Sequence, residues 1–455
     1  MPPNVIVFFT DQQRWDTTGV HGNPLDLTPN FDRMAHQGTH LYNTFTCQPV
    51  CGPARACLQT GLYATNTTVW RNGIHIPETS QTLAHFFKEA GYQTGYIGKW
   101  HLGPGHIAGP VEQPYRGGYD YWLASNLLEF TSDAYDVTLF DEDNQPVRLP
   151  GYRVDALTDA AIRFIDRRQQ QPFYLFISYL EPHFQNRRDD YPAPDGYEER
   201  YIGRWTPPDL ATLGGTSQRH LPGYYGMVKR LDEALGRLLD ALKSLNLLDN
   251  TIVLFTTDHG NHFKTRNSEY KRSCHDSSVR LPCALIGPGF NGGGQLQQMI
   301  SLVDLPPTLL DAAGLAIPSQ MEGHSIMPLV RREAVDWQNE VFIQISESQV
   351  GRAIRTHRWK YSVSAKSSHS TDPDNRLGGG SSMHYTEEFL YDLKADPYEL
   401  NNLIGRGAFR EVADHLKKRL IARMIAAGEA EPEIDSAPPS PDNPQVFLRP
   451  EEMVI

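Results

Sequence analysis

Short apolar runs alternating with stretches of helical spacing set the pattern of this chain. Five runs rich in β-branched and aromatic residues, Val5–Phe9, Thr94–Ile97, Phe173–Tyr179, Thr251–Thr257 and Cys283–Ile286, read as buried strands. Met227, Leu231, Leu235, Leu238, Leu242 and Leu245 recur at steps of three and four, which predicts an amphipathic helix over Tyr224–Leu245 that covers one sheet face. Further helices are expected over Val154–Arg168 and Thr82–Ala90, the second closed by Gly91. Strands that alternate with helices predict an α/β fold with a large, mainly parallel sheet flanked by helices.

From about Trp337 the pattern changes to spaced pieces, Glu340–Ser346, Arg352–Thr356 and Trp359–Val363, with a loop at Asn375–Ser382. These predict a small antiparallel sheet, followed by a helix over Phe409–Ala426 and a tail rich in proline and acids from near Gly428. The expected organisation is a catalytic α/β domain over 1–336 and a C-terminal subdomain of antiparallel sheet, helix and extended tail over 337–455. No internal repeat is visible.

The formal charge of −12, spread without acidic blocks, argues against a nucleic-acid or anionic-membrane surface, so an anionic substrate needs a local basic pocket. Met-Pro-Pro-Asn leads straight into the first strand without a basic n-region or cleavage site, and no apolar run is long enough to span a bilayer. The expected location is cytoplasmic if the chain is complete, and periplasmic or secreted if a signal was removed. Five cysteines without Cys-x-x-Cys spacing fit a reduced compartment.

Functional-looking residues collect immediately after the strand-like runs. Asp11 and Gln12 follow the first, Lys99 and His101 the second, Glu181-Pro-His183 the third and Asp258-His259 the fourth, which is where open α/β sheets place their sites. Asp11, Asp258, His259 and the amide oxygen of Gln12 offer a cage for one divalent cation. Either aspartate alone could cap a turn, but two acids together with Lys and His pairs at separate strand ends point to metal binding.

Several blocks then appear in a familiar order: Asn4-Val-Ile-Val-Phe-Phe-Thr-Asp11-Gln12, Cys51-Gly-Pro-Ala-Arg55 running on to Leu58-Gln-Thr-Gly61, Gly98-Lys99-Trp-His101, Pro182-His183, Asp258-His259-Gly260 and Lys271. Over nearly its whole length the chain resembles type I sulfatases of the alkaline phosphatase superfamily. The resemblance implies hydrolysis of sulfate esters through a formylglycine made from Cys51 by a formylglycine-generating or sulfatase-maturing enzyme. Cys47-Gln-Pro-Val-Cys51 ends in cysteine where the motif needs arginine, so Cys47 does not qualify.

By resemblance, Cys51, Arg55, Lys99, His101, His183 and Lys271 are the catalytic set, and Asp11, Gln12, Cys51, Asp258 and His259 surround the metal. Calcium is the metal expected, with manganese or magnesium as alternatives, because Gln12 and His259 stand where many members carry aspartate and asparagine. Those two residues also resemble phosphonate monoester hydrolases, the principal alternative, but Lys99-Trp-His101 favours a sulfatase. Aryl or alkyl sulfatases, and a non-catalytic sulfoglycan-binding homologue, are further alternatives.

Aromatic residues in Pro104–Leu149, among them Tyr115, Tyr119, Tyr121, Trp122 and Tyr135, are expected in loops over the site mouth. Arg187, Arg188, His220, His262, Lys264 and Arg266 lie after site strands and offer contacts to a carboxylated or multiply sulfated glycan. The expected substrate is therefore a sulfated carbohydrate, in keeping with glycan degradation.

Overall fold

The computed structural model describes residues 2–365 and 380–441, and the alternating pattern assembles there into two sheets. The first contains β1 (Asn4–Thr10), β2 (Thr39–Phe45), β3 (Gln93–Lys99), β4 (Tyr121–Ser125), β5 (Val137–Phe140), β6 (Pro146–Leu149), β7 (Phe173–Ser178), β8 (Thr251–Thr257), β9 (Arg280–Leu281), β10 (Ala284–Ile286) and β11 (Gly294–Ser301). Across the sheet the order is β11-β2-β10-β8-β1-β7-β3-β4-β5-β6, with β9 paired to β2.

Its centre, β8-β1-β7-β3-β4, is parallel throughout. Every residue of β1, β7 and β8 is buried, as a sheet covered on both faces requires. The flanks are mixed: β10 runs against β8 and β2, β5 and β6 form a hairpin, and β11 runs parallel to β2. The sheet is thus mainly parallel, as the sequence predicted, with antiparallel strands at its margins, where only the short link from β5 to β6 forms a hairpin. The stretch expected to form loops over the site mouth supplies β4 to β6 instead; Trp122 and Tyr119 enter the core, and Tyr135 stays exposed.

Helices cover both faces. Successive residues of β1 divide between two cores: Val5, Val7 and Phe9 meet α2 (Cys51–Thr60) and α3 (Leu83–Glu89). Ile6 and Phe8 meet α4 (Arg153–Asp166), the long helix α5 (Ser217–Ser244) and Phe31 of α1 (Pro29–Gln37). Helix α3 has Thr82 and His85 in a reciprocal cap, and the left-handed Gly91 follows its end as expected. Helix α5 starts seven residues before Tyr224, and Pro222 in its opening turns hides that start from the sequence pattern.

The second sheet is β12 (Glu340–Ile345), β13 (Gly351–Thr356), β14 (Trp359–Ser364) and β15 (His384–Asp392), antiparallel throughout, with β16 (Glu433–Asp435) parallel to β15. Helix α6 (Arg410–Ala426) packs on it. Most of the loop expected at 375–382, and the tail beyond residue 441, lie outside the described residues. Among the described residues no helix is long and apolar enough to cross a membrane.

The sheets are joined by a shared core, in which Phe342, Ile354 and Tyr361 cluster with Cys57, Leu58 and Ile300, and by buried charge. Lys360 Nζ reaches Asp276 and Glu399 at 2.5 Å each, and Arg355 pairs with Asp276 at 3.1 Å. Burial pushes the Asp276 carboxyl up, but Arg355 and Lys360 outweigh it and hold the group far below the usual carboxylate range.

Lys360→Ala should cost about 3–5 kcal/mol in denaturant unfolding, because two buried carboxylates lose their shared cation. Removing the exposed Lys88 from Asp120 should cost less than about 1 kcal/mol. Since Asp276 is depressed in the folded state, its contribution is present at neutral pH and is lost as pH falls below about 4, so the Lys360→Ala deficit should shrink there.

Candidate active site

The parallel centre of the first sheet delivers its polar residues to one edge. Asp11 and Gln12 follow β1, Lys99 ends β3, Ser178 ends β7 with His183 beyond it, and Asp258 and His259 follow β8. Cys51 is the first residue of α2, and its side chain meets the same groups. Pro53 falls in the first turn, where a missing N–H costs little.

Cys51 is the geometric centre. Its Sγ accepts from Lys271 Nζ at 2.7 Å, lies 3.2 Å from His259 Nε2 and is 3.6 Å from Asp11 Oδ1. Lys271 Nζ also lies 3.1 Å from His259 Nε2 and 3.3 Å from His183 Nε2. Asp11 Oδ2 accepts from Lys99 Nζ at 2.8 Å and from an Arg55 guanidinium nitrogen at 3.0 Å. Arg55 is fixed further by donating to Lys99 O and Ser178 Oγ at 2.9 and 2.7 Å.

These contacts set the charges. Burial raises the Asp11 carboxyl, but Lys99, His183, Arg55 and Lys271 reverse that and hold it well below its ordinary range. Asp258 goes the other way, to about 6, through burial and the nearby Asp11. The same two causes push the Cys51 thiol up to about 12, so the encoded cysteine is a neutral thiol here and a poor nucleophile. His101, His183 and His259 are all lowered by burial first, the nearby lysines adding to it, which leaves neutral rings at physiological pH.

The donors fit a divalent cation. One ligand atom each from Asp11, Cys51, Asp258 and His259 lies within 4.8 Å of the others. His259 Nδ1 is 2.9 Å from the Gly260 carbonyl, so it carries the proton, and the lone pair of Nε2 faces the carboxylates. The amide of Gln12 is buried and neither of its polar atoms has a hydrogen-bond partner among the described residues, an expensive arrangement unless a ligand is meant to receive it.

Gln12 adopts φ 67°, unusual for a residue with a side chain. Its N–H donates to Asp258 Oδ1 at 3.0 Å, and its carbonyl accepts from Tyr224 Oη at 2.8 Å. Tyr224 Oη in turn accepts from Arg14 N at 2.7 Å, so helix α5 pins the turn.

All the predicted catalytic and metal residues converge, His101 among them: 5% exposed, at φ 61°, with both ring nitrogens lacking a hydrogen-bond partner among the described residues. The predicted substrate contacts scatter. His262 is wholly buried behind Lys271, its Nε2 3.0 Å from the Lys271 carbonyl. Arg266 donates to the Tyr398 and Glu399 carbonyls, His220 packs on Tyr191 and Tyr270, and Lys264 pairs with Asp189 at 3.3 Å. Arg187 donates to the Phe130 carbonyl and is exposed, as is Arg188, which pairs with Asp133.

Sequence reasoning missed four residues that shape the site. Glu129 pairs with Lys99 at 3.2 Å, so three carboxylates (Asp11, Asp258, Glu129) meet three cations (Arg55, Lys99, Lys271). Ser178 holds Arg55, Tyr224 holds Gln12, and Asn72 Oδ1 accepts from Gly52 N at 2.9 Å beside Cys51. A bare Ser, Asn, Glu or Tyr at a strand end, in a loop or in a helix carries no motif; only the fold brings them to the site.

Comparison with known proteins agrees with the geometry. The family model described as Sulfatase matches residues 3–315, and that of the N-sulphoglucosamine sulphohydrolase C-terminal region matches 268–372. An ulvan-active sulfatase of Formosa agariphila is 30% identical over 444 residues, covering 94% of this chain and 82% of the relative. An N-acetylglucosamine-6-O-sulfatase of Bacteroides thetaiotaomicron is 26% identical, covering 92% and 85%. The crystal structure of yidJ from Bacteroides fragilis superposes with a TM-score of 0.80 at 25% identity, covering 94% of this chain and 96% of that one.

Tyr224→Phe should release the Gln12 turn and weaken divalent-metal affinity about 10-fold, measured by calorimetry. The fold should lose only about 1–2 kcal/mol, the loss of hydrogen bonds to one hydroxyl.

Proposed function

The chain belongs to the sulfatase family, and from that premise we propose that it hydrolyses a sulfate ester on a carbohydrate, using residue 51 after conversion to formylglycine and one divalent cation held by Asp11, Gln12, Asp258 and His259. The observation that carries this reading is the convergence of Lys271, His259 and Asp11 on the side chain of Cys51. The carbohydrate part is supported by the two relatives named as an ulvan-active sulfatase and an N-acetylglucosamine-6-O-sulfatase.

Matured, residue 51 would supply a hydrated aldehyde, one hydroxyl to take the sulfuryl group and one to release sulfate, and a cation held by Asp11, Gln12, Asp258 and His259 would supply Lewis-acid polarisation of sulfate oxygens. Calcium suits the oxygen donors, and the His259 nitrogen also admits manganese. The Cys51 Sγ stands where the oxygens of the matured side chain would lie.

The other roles fall to residues of this chain. Lys99 and Lys271 hold sulfate oxygens as fixed, buried cations, so charge that develops on the transferring group meets donors already in place. Arg55, locked by Ser178 and the Lys99 carbonyl, orients residue 51 across Asp11. Neutral His101, with no competing partner, takes the proton of the second hydroxyl. His183 donates Nδ1–H to the Phe184 carbonyl, 2.7 Å away, and its Nε2 sits 3.3 Å from Lys271 Nζ, so this pair is suited to protonating the leaving oxygen.

Cys51 is 1% exposed in the folded chain. That burial supports maturation by a partner enzyme acting on the segment before the fold closes over it.

The test is turnover by matured enzyme of sulfated saccharides, p-nitrophenyl sulfate and a phosphonate monoester. Sulfate esters should be preferred, Cys51→Ala should lose about 10³-fold or more in kcat, and a chelator should abolish the activity. Phosphonate turnover far above every sulfate would assign the site to the phosphonate monoester hydrolases instead.

A further inference from the structure

One wall of the site is made by residues that the mechanism above does not use. Asn72 ties the segment Trp70–Gly73 to Gly52, next to Cys51. Trp70 is held in place: its carbonyl accepts from Gln48 Nε2 at 2.7 Å, and its ring packs so closely on Gly380 that a Cβ there would come within 2.8 Å of its Cγ. The Arg71 guanidinium lies 5.4 Å from the centroid of that ring.

Arg71 has no carboxylate partner among the described residues, and unlike Lys271, whose Nζ is held by Cys51, His183 and His259, its guanidinium makes no hydrogen bond to the site's other side chains. The one hydrogen bond of Arg71 among the described residues, to the Asn72 carbonyl, is long at 3.4 Å. Arg55 and Lys99 are paired with acids, and Arg272 pairs with Glu347 and Glu269. A stacked but unpaired guanidinium keeps its fork of donors for something else.

Opposite Arg71 stands His106, its ring centroid 5.5 Å from that of His101. A Cβ on Gly73 would lie 3.2 Å from His106 Cβ and 3.8 Å from an Arg71 guanidinium nitrogen. Glycine at φ 87° therefore sits where Arg71 and His106 approach each other closely, and a side chain there would crowd His106.

We propose that Arg71 and His106 form a second anion subsite beside the sulfate-ester pocket, and that the substrate is a saccharide carrying a further sulfate or carboxylate within reach of the scissile ester. This rests on the sulfatase reading and narrows it. Sulfate and carboxylate both present the planar pair of oxygens that a guanidinium grips with two N–H donors. A subsite fixed on Trp70 loses little freedom when it binds.

The test compares matured wild type with Arg71→Ala on three probes: a monosulfated monosaccharide, the same sugar with a second sulfate, and a sulfated disaccharide bearing a uronate. Arg71→Ala should raise KM about 10-fold or more for one or both doubly charged probes, with kcat within about twofold, and leave the monosulfated probe unchanged. Arg71→Lys should recover only part of the loss. The probe that responds identifies the second group as sulfate or carboxylate. Equal effects on all three probes, or none on any, would overturn the subsite. Calorimetric binding of the same probes to Cys51→Ala separates this from the wider reading. An Arg71 effect on binding with no turnover by matured enzyme would keep the subsite and remove the sulfatase assignment; no Arg71 effect on binding would remove the subsite alone.

Discussion

Asp11 and Asp258 are fully buried carboxylates aimed at one point, and two like charges in that setting persist only where cations share them. The rest of the site follows from that constraint. Arg55, Lys99 and Lys271 enter from an α-helix, a strand end and a loop, and Glu129 balances Lys99 from behind. Asp11 falls well below its ordinary range while Asp258 rises to about 6, so the protein holds one firm anion and one adaptable carboxylate at a cation site.

The fold makes this arrangement rigid. Neighbouring parallel strands end at the same edge, so ligands from β1, β3, β7 and β8 meet without any long loop to order. The second sheet contributes as well: Glu347, beyond β12, accepts from Asn72 N at 2.6 Å and pairs with Arg272, bracing the residue after Lys271 and the residue facing Gly52 at once. Arg266 reaches the carbonyls of Tyr398 and Glu399 on the same side. Sulfatase chemistry here depends on both sheets.

Much of this was legible in the sequence, for physical reasons. Strands buried on both faces must be apolar throughout, which is why Val5–Phe9 and Thr251–Thr257 stood out and the residues after them could be read as a cage. Edge strand β11, Gly294-Gln-Leu-Gln-Gln-Met-Ile-Ser301, is half exposed and carries no such run, so it went unseen. Helix α2 begins inside Cys51-Gly-Pro, a tripeptide that reads as a turn until its proline is placed in the first turn. His262 and Arg266 have the right residue types and follow a site strand, yet their side chains brace the Lys271 loop from behind. Arg71 and His106 lie in segments with no periodicity at all, and only three-dimensional proximity brings them together.

The claim on which the account stands is that Cys51 is the position where chemistry is built in. The direct measurement is the mass of the peptide containing Cys51 from protein made in its own host and active on a sulfate ester. Conversion to formylglycine predicts a peptide lighter than the encoded one by about 18 Da, the difference between a thiol and an aldehyde side chain. Full sulfate-ester turnover by protein whose residue 51 is entirely unmodified cysteine would contradict it.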